Sequence, residues 1–133
     1  MKQIYIFLIF IIYILLPLYL KIVKHMRRYI ANYTILSSEG DELINHIVTV
    51  DDDGRLISIE AFDRELANTC YVPQPLCVAS IKDVANVERV FLDSGSREQF
   101  RTRLAELNLS RACHGTPVSV LRLDFAHNMI TKI

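Results

Sequence analysis

Carboxylates are the first residues to weigh for chemistry. Across residues 49–60 the chain reads Thr-Val-Asp-Asp-Asp-Gly-Arg-Leu-Ile-Ser-Ile-Glu, which puts Asp51, Asp53 and Glu60 at the third, fifth and twelfth positions of a loop with Gly54 at the sixth. Hard oxygen ligands around a turn-forming glycine are the pattern of an EF-hand calcium loop. However, the first position is Thr49 where a carboxylate belongs and the ninth is Ile57. Both flanks also alternate like strands, whereas calcium ligands in such a loop are brought together by helices. A β-hairpin is therefore the leading reading of this segment, with calcium held by Asp51, Asp53 and Glu60 as the alternative.

Thiols and imidazoles offer less. Cys70, Cys77 and Cys113 show neither C-x-x-C spacing nor flanking histidines, so they predict no zinc site. An odd number of cysteines in a short chain points to reduced thiols in a reducing compartment. Cys113 and His114 are a nucleophile beside a base, yet neighbours in a chain point apart and no oxyanion-hole glycine motif accompanies them. His25, His46, His114 and His127 are scattered without metal-ligand spacing. Arg97, Arg101, Arg103 and Arg111 are interspersed with Glu98 and Glu106, which suggests a solvated helix face. With 15 basic and 15 acidic residues, no overall field favours nucleic acid, and no Gly-rich phosphate loop is present. No catalytic residue and no cofactor is assigned on these grounds.

The elements that must position these residues are mostly strands. Residues 29–36 are rich in Tyr, Ile and Thr, and residues 43–50 carry Ile44, His46, Val48 and Val50 on one face. Residues 55–61 alternate again, joined to the second strand through Asp53-Gly54, a hairpin signal because both residues tolerate positive φ. Ser96 with Gln99 forms a capping-box pattern ahead of Phe100, Leu104 and Leu107 at helical spacing, and Asn108 ends the helix. The β-branched run at residues 87–92 fits a strand or part of a preceding helix and is assigned as a strand, residues 117–125 as another, and Ala126-His127-Asn128 turns the chain into residues 129–133.

A strand opening on basic residues, Arg28-Tyr29-Ile30-Ala31-Asn32-Tyr33, then a second strand, the D-G-R hairpin, a third strand and Val72-Pro73 resembles the N-terminal segment of the amidohydrolase superfamily. In that family these strands build a small β-sandwich beside a metal-dependent catalytic barrel, and C-terminal strands complete it, a part residues 116–133 could supply. The family follows Pro-Gly with two metal-binding histidines separated by one residue. Here Pro73 is followed by Gln-Pro-Leu-Cys-Val-Ala-Ser-Ile, so Ala79 and Ile81 occupy the ligand positions, and neither can bind a metal. Too few residues follow for an eight-unit barrel of about 250 residues. The resemblance thus implies the sandwich without the activity.

Residues 4–20 contain no charged side chain, and the stretch approaches the roughly 20 apolar residues needed to span a bilayer. Lys21, Lys24, Arg27 and Arg28 follow it, and the positive-inside rule puts the C-terminal side in the cytoplasm. The expectation is a single-pass anchor in the inner membrane over residues 1–25 and a cytoplasmic domain over residues 26–133. If translation starts at Met26, the protein is cytoplasmic instead.

The fold expected is mostly β (α+β), a small sandwich or meander with one amphipathic helix behind an apolar N-terminal helix. The expected function is that of a non-catalytic interaction or structural module, membrane-tethered and with a possible protein partner. An accessory or remnant subunit of an amidohydrolase acting on carbon–nitrogen bonds is one alternative, and a calcium module through residues 49–60 is the other.

Overall fold

The computed structural model describes residues 2–24, 26–64 and 68–133, with side chains described at residues 3–17, 26–64 and 68–133. His25 lies outside the described residues. The chain begins with helix α1 (Lys2–Lys24), which contains Pro17. Residues 4–10 and 12–17 of this helix are exposed. Among the described residues no helix is long and apolar enough to cross a membrane. Residues 18–20 of the expected anchor, and Lys21 and Lys24 behind it, lie outside the residues whose side chains are described.

The meander forms as the alternation requires. Strands β1 (Arg27–Leu36), β2 (Glu42–Val50) and β3 (Leu56–Ala61) pair antiparallel in sequence order. At the β2–β3 turn Gly54 adopts φ 78°, the left-handed conformation a glycine reaches without a Cβ penalty. Asp51 Oδ1 accepts from the backbone N–H groups of Asp53 and Arg55, both at 2.9 Å. The aspartate therefore closes a turn between two strands. The helices that an EF-hand needs on either side of residues 49–60 are absent, and the calcium alternative for Asp51, Asp53 and Glu60 is corrected on that ground.

Two further strands, β4 (Thr69–Val72) and β5 (Leu76–Ser80), both run parallel to β1 and pair with its first and second halves in turn. Pro73-Gln74-Pro75 lies between them. A proline has no N–H to give to a ladder, so the pairing breaks there and resumes one residue out of step. All five residues of β5 are buried, as befits a strand with protein on both faces. A 3₁₀ turn (Ile81–Asp83) leads into helices α2 (Val84–Asp93) and α3 (Arg97–Leu107), and strands β6 (Val118–Asp124) and β7 (Met129–Lys132) complete the sheet.

The result is an α+β fold with one mixed seven-stranded sheet, ordered β3-β2-β1-β5-β6-β7 with β4 beside β1. It differs from the expected sandwich because the sheet packs against itself. It curls until the start of β3 meets the segment entering β6. Leu56 N–H donates to Thr116 O at 2.9 Å, Gly115 N–H to Leu56 O at 2.7 Å and Val118 N–H to Gly54 O at 3.0 Å. The curl encloses an inner core that includes Ala31, Val48, Leu76, Val78, Val118 and Val120.

An outer core lies between the sheet and the two helices. Ile35, Cys77 and Leu121 from the sheet meet Val87 and Phe91 of α2 and Phe100 and Leu104 of α3. Phe91 and Phe100 stack edge to face at 5.6 Å, and Phe125 joins them 5.1 Å from Phe91, arrangements that suit the aromatic quadrupole.

The expected strand at residues 87–92 is helix α2 instead. Val87 and Phe91 stand four apart, so one helical face buries both. Burial of that face outweighs the β-preference of its valines, because propensity differences of under about 1 kcal/mol per residue are smaller than the roughly 1.5–3 kcal/mol from burying one large apolar side chain. The helix at residues 97–107 matches expectation except that Leu107 is exposed. Ser96 Oγ accepts from Gln99 N–H at 3.2 Å, Gln99 Oε1 accepts from Gly95 N–H at 2.8 Å, and Asn108 closes the helix at φ 53°.

Candidate functional site

The cysteines, the histidines and the residues at the family's ligand positions do not converge as a set among the described residues. Ala79 is buried in β5 and Ile81 is exposed at its end. Cys77 is fully buried, and loss of hydration pushes its thiol up to about 12, so it stays protonated and inert. Cys70 and Cys113 are exposed, and all three cysteines are free. His127 sits in the β6–β7 turn with Nδ1 2.9 Å from Asp124 Oδ2. That hydrogen bond holds the Asp124 carboxyl below its ordinary value. Among the described residues no group of three or more His, Cys, Asp or Glu side chains is placed to hold a metal ion.

The arginines of α3 do something other than face solvent. Arg97 Nε and Arg101 Nη1 lie 3.2 and 3.4 Å from Glu42 Oε2, close enough for ion pairing. The Arg97 guanidinium covers the Tyr33 ring at 4.1 Å, and Arg101 Nε donates to Gly40 O at 2.8 Å. Arg103 Nη1 donates to Asp93 O at 2.7 Å. These contacts bind α3 to the β1–β2 turn and to the end of α2, which corrects the reading of a solvated face. Glu42 is largely covered by the pair, so removing either partner would leave charge poorly hydrated.

What the fold does assemble is a cleft of about 300 Å³ on the concave side of the sheet. Its floor is apolar, with Leu36, Leu43, Leu56, Ile59, Val78 and Ala112, and is continuous with the inner core. Its rim is polar and comes from three separated pieces of chain. The β1–β2 turn supplies Ser37 and Ser38, β2 and β3 supply His46 and Ser58, and the segment before β6 supplies Arg111 and His114.

Local structure sets the two imidazoles. Asn45 adopts φ 54°, and beside it His46 Nδ1 approaches Ile44 O at 2.9 Å. Cys113 N–H donates to Thr116 Oγ1 at 3.0 Å and Gly115 takes φ 84°, forming a tight turn that carries His114 to the sheet. There His114 Nδ1 lies 2.8 Å from Ile57 O. A carbonyl can only accept, so both rings bear their proton on Nδ1 and leave Nε2 for other partners. The His114 ring thus engages β3 through Nδ1, and no hydrogen bond joins it to the adjacent Cys113 thiol among the described residues.

Arg111 is exposed at the rim and makes no hydrogen bond or ion pair among the described residues. Its charge is felt by Glu39 in the β1–β2 turn. A hydrogen bond that the protonated Glu39 carboxyl donates to Asp41, and Asp41's own charge, raise the Glu39 carboxyl above its ordinary value, and Arg111 opposes the shift. Sequence reasoning marked His46, His114 and Arg111 separately but gave no sign of the cleft, since its lining is gathered from residues 36–46, 56–59, 78 and 111–114.

No family model, no curated protein and no solved structure matches this chain. The likeness to the amidohydrolase sandwich therefore rests on its short motifs alone.

Proposed function

We propose that the chain is a non-catalytic interaction module held at a membrane by its N-terminal helix. The observation that carries this reading is the exposure of α1. Ile4 (65%), Tyr5 (70%), Phe7 (65%), Phe10 (62%) and Tyr13 (75%) lie open on a helix that is apolar on every face. Contiguous apolar surface of this kind is rarely left to water and marks a site that lipid or another protein covers. Lipid is favoured because the apolar residues surround the helix, where a protein groove would need only one stripe. Lys21, Lys24, Arg27 and Arg28 then put the sheet domain on the cytoplasmic side. The absence of catalysis is supported by Ala79 and Ile81 standing at the ligand positions of the family resembled, and by the burial of Cys77.

Fractionation of the full-length chain tests the tether. It should sediment with membranes and stay there through an alkaline carbonate wash, and alkaline phosphatase fused after Ile133 should be inactive, since that enzyme needs an oxidising compartment. Recovery in the soluble fraction, a mature protein beginning at Met26, or an active fusion would overturn the reading.

A further inference from the structure

The cleft on the concave face has a composition that neither the tether nor the sheet's own packing requires. About half of its lining is apolar floor and the other half a rim of hydrogen-bonding groups. Three of those groups are left uncommitted by the fold. Arg111 has no ion-pair partner among the described residues, and the Nε2 atoms of His46 and His114 remain after their Nδ1 atoms bind carbonyls. We infer that this cleft binds a small amphiphilic monocarboxylate, with its head at Arg111 and its apolar body over Leu43, Ile59 and Ala112.

Each part of that ligand follows from the lining. A volume of about 300 Å³ is at the small end of ligand pockets, so the body is short. The guanidinium fork fits a carboxylate or a phosphate equally well in geometry. Charge separates the two, because Glu39, near enough to Arg111 for their charges to interact, and Asp41 beside it repel a dianion more than a monoanion. A purely polar ligand would leave the leucine and isoleucine floor wet, and a purely apolar one would strip water from the Arg111 rim without replacing its hydrogen bonds.

Hexanoate is a suitable probe, with hexanamide, acetate and hexylphosphonate as comparisons. The full-length chain in lipid nanodiscs is titrated by NMR, following the imidazole Cε1–H signals and the Ala112 methyl. Empty nanodiscs report partitioning. The expected result is saturable one-to-one binding of hexanoate with shifts at His46, His114 and Ala112. Arg111→Gln, at an exposed position that makes no hydrogen bond or ion pair among the described residues, should leave other signals in place and weaken binding by about tenfold, the worth of a charge-assisted hydrogen bond. Hexanamide and acetate should each bind about tenfold more weakly for want of the charge or the body, and hexylphosphonate no more tightly than hexanoate. The inference is overturned if hexanoate produces no saturable shift at the cleft in the millimolar range, if shifts fall only on α1, or if Arg111→Gln binds as well as the parent.

Discussion

Two glycines in left-handed conformations separate the cost of backbone strain from that of a steric clash. Gly40 and Gly115 take φ 68° and 84°. A Cβ on Gly115 would meet nothing, whereas one on Gly40 would run into the backbone carbonyl of Arg101. Gly115→Ala should therefore cost only the strain, about 1 kcal/mol, while Gly40→Ala should cost well over 2 kcal/mol as α3 is pushed off the turn. Urea unfolding of both variants checks the order, and equal losses would mean that α3 does not press on Gly40. Thiol chemistry gives a second residue-scale test. Cys70 and Cys113 are exposed and Cys77 is fully buried with its thiol pushed up to about 12. At pH 8 in native conditions an aromatic disulfide reagent should modify two thiols promptly and the third only on unfolding, and prompt release of three equivalents would refute the burial of β5.

Among the elements, the two helices over the outer core do most to hold the sheet's convex face. Phe91 and Phe100 are buried almost completely and stack on one another, while Leu107 on the next turns of α3 is 45% exposed. Phe91→Ala should destabilise the domain by about 3–5 kcal/mol, and Leu107→Ala by under about 1 kcal/mol. Thermal melts of the two variants distinguish them. A strand at residues 87–92 would put Val90 and Leu92 on one face and make them equally sensitive; the helix predicts that Val90→Ala, against the outer core, costs more than Leu92→Ala, at an exposed position. The element most open to misreading was β5. Its run Leu-Cys-Val-Ala-Ser has no alternation because both faces are covered, and it follows two prolines that look like loop.

The whole molecule depends on the seam where β3 meets the approach to β6. It consists of three backbone hydrogen bonds between residues 54–56 and 115–118, and the inner core and the cleft both lie against it. The Leu56 and Val118 amides should exchange with solvent nearly as slowly as those of β5, because their opening requires uncurling the sheet and exposing the core. Native-state hydrogen exchange measures this directly. Exchange as fast as at the exposed turn residues Asp52 and Asp53 would show that the sheet is open in solution and that the cleft has no fixed rim.

Local patterns by themselves determined the meander, the Gly54 hairpin, the α3 helix with its Ser96 and Asn108 ends, and the C-terminal pair of strands. These elements are encoded within a few residues, through alternation, capping and the glycine or asparagine that accepts positive φ. Only the tertiary structure decided that β5 would insert parallel to β1, that residues 84–93 would be helical, and that the sheet would close on itself in place of forming two layers. Each of those outcomes depends on which surfaces are buried against which, and burial energy is set by partners distant in sequence. The cleft is the clearest case. His46, Ile57, Arg111 and His114 come together because the seam brings the segment before β6 against β3, and no spacing along the chain records that encounter.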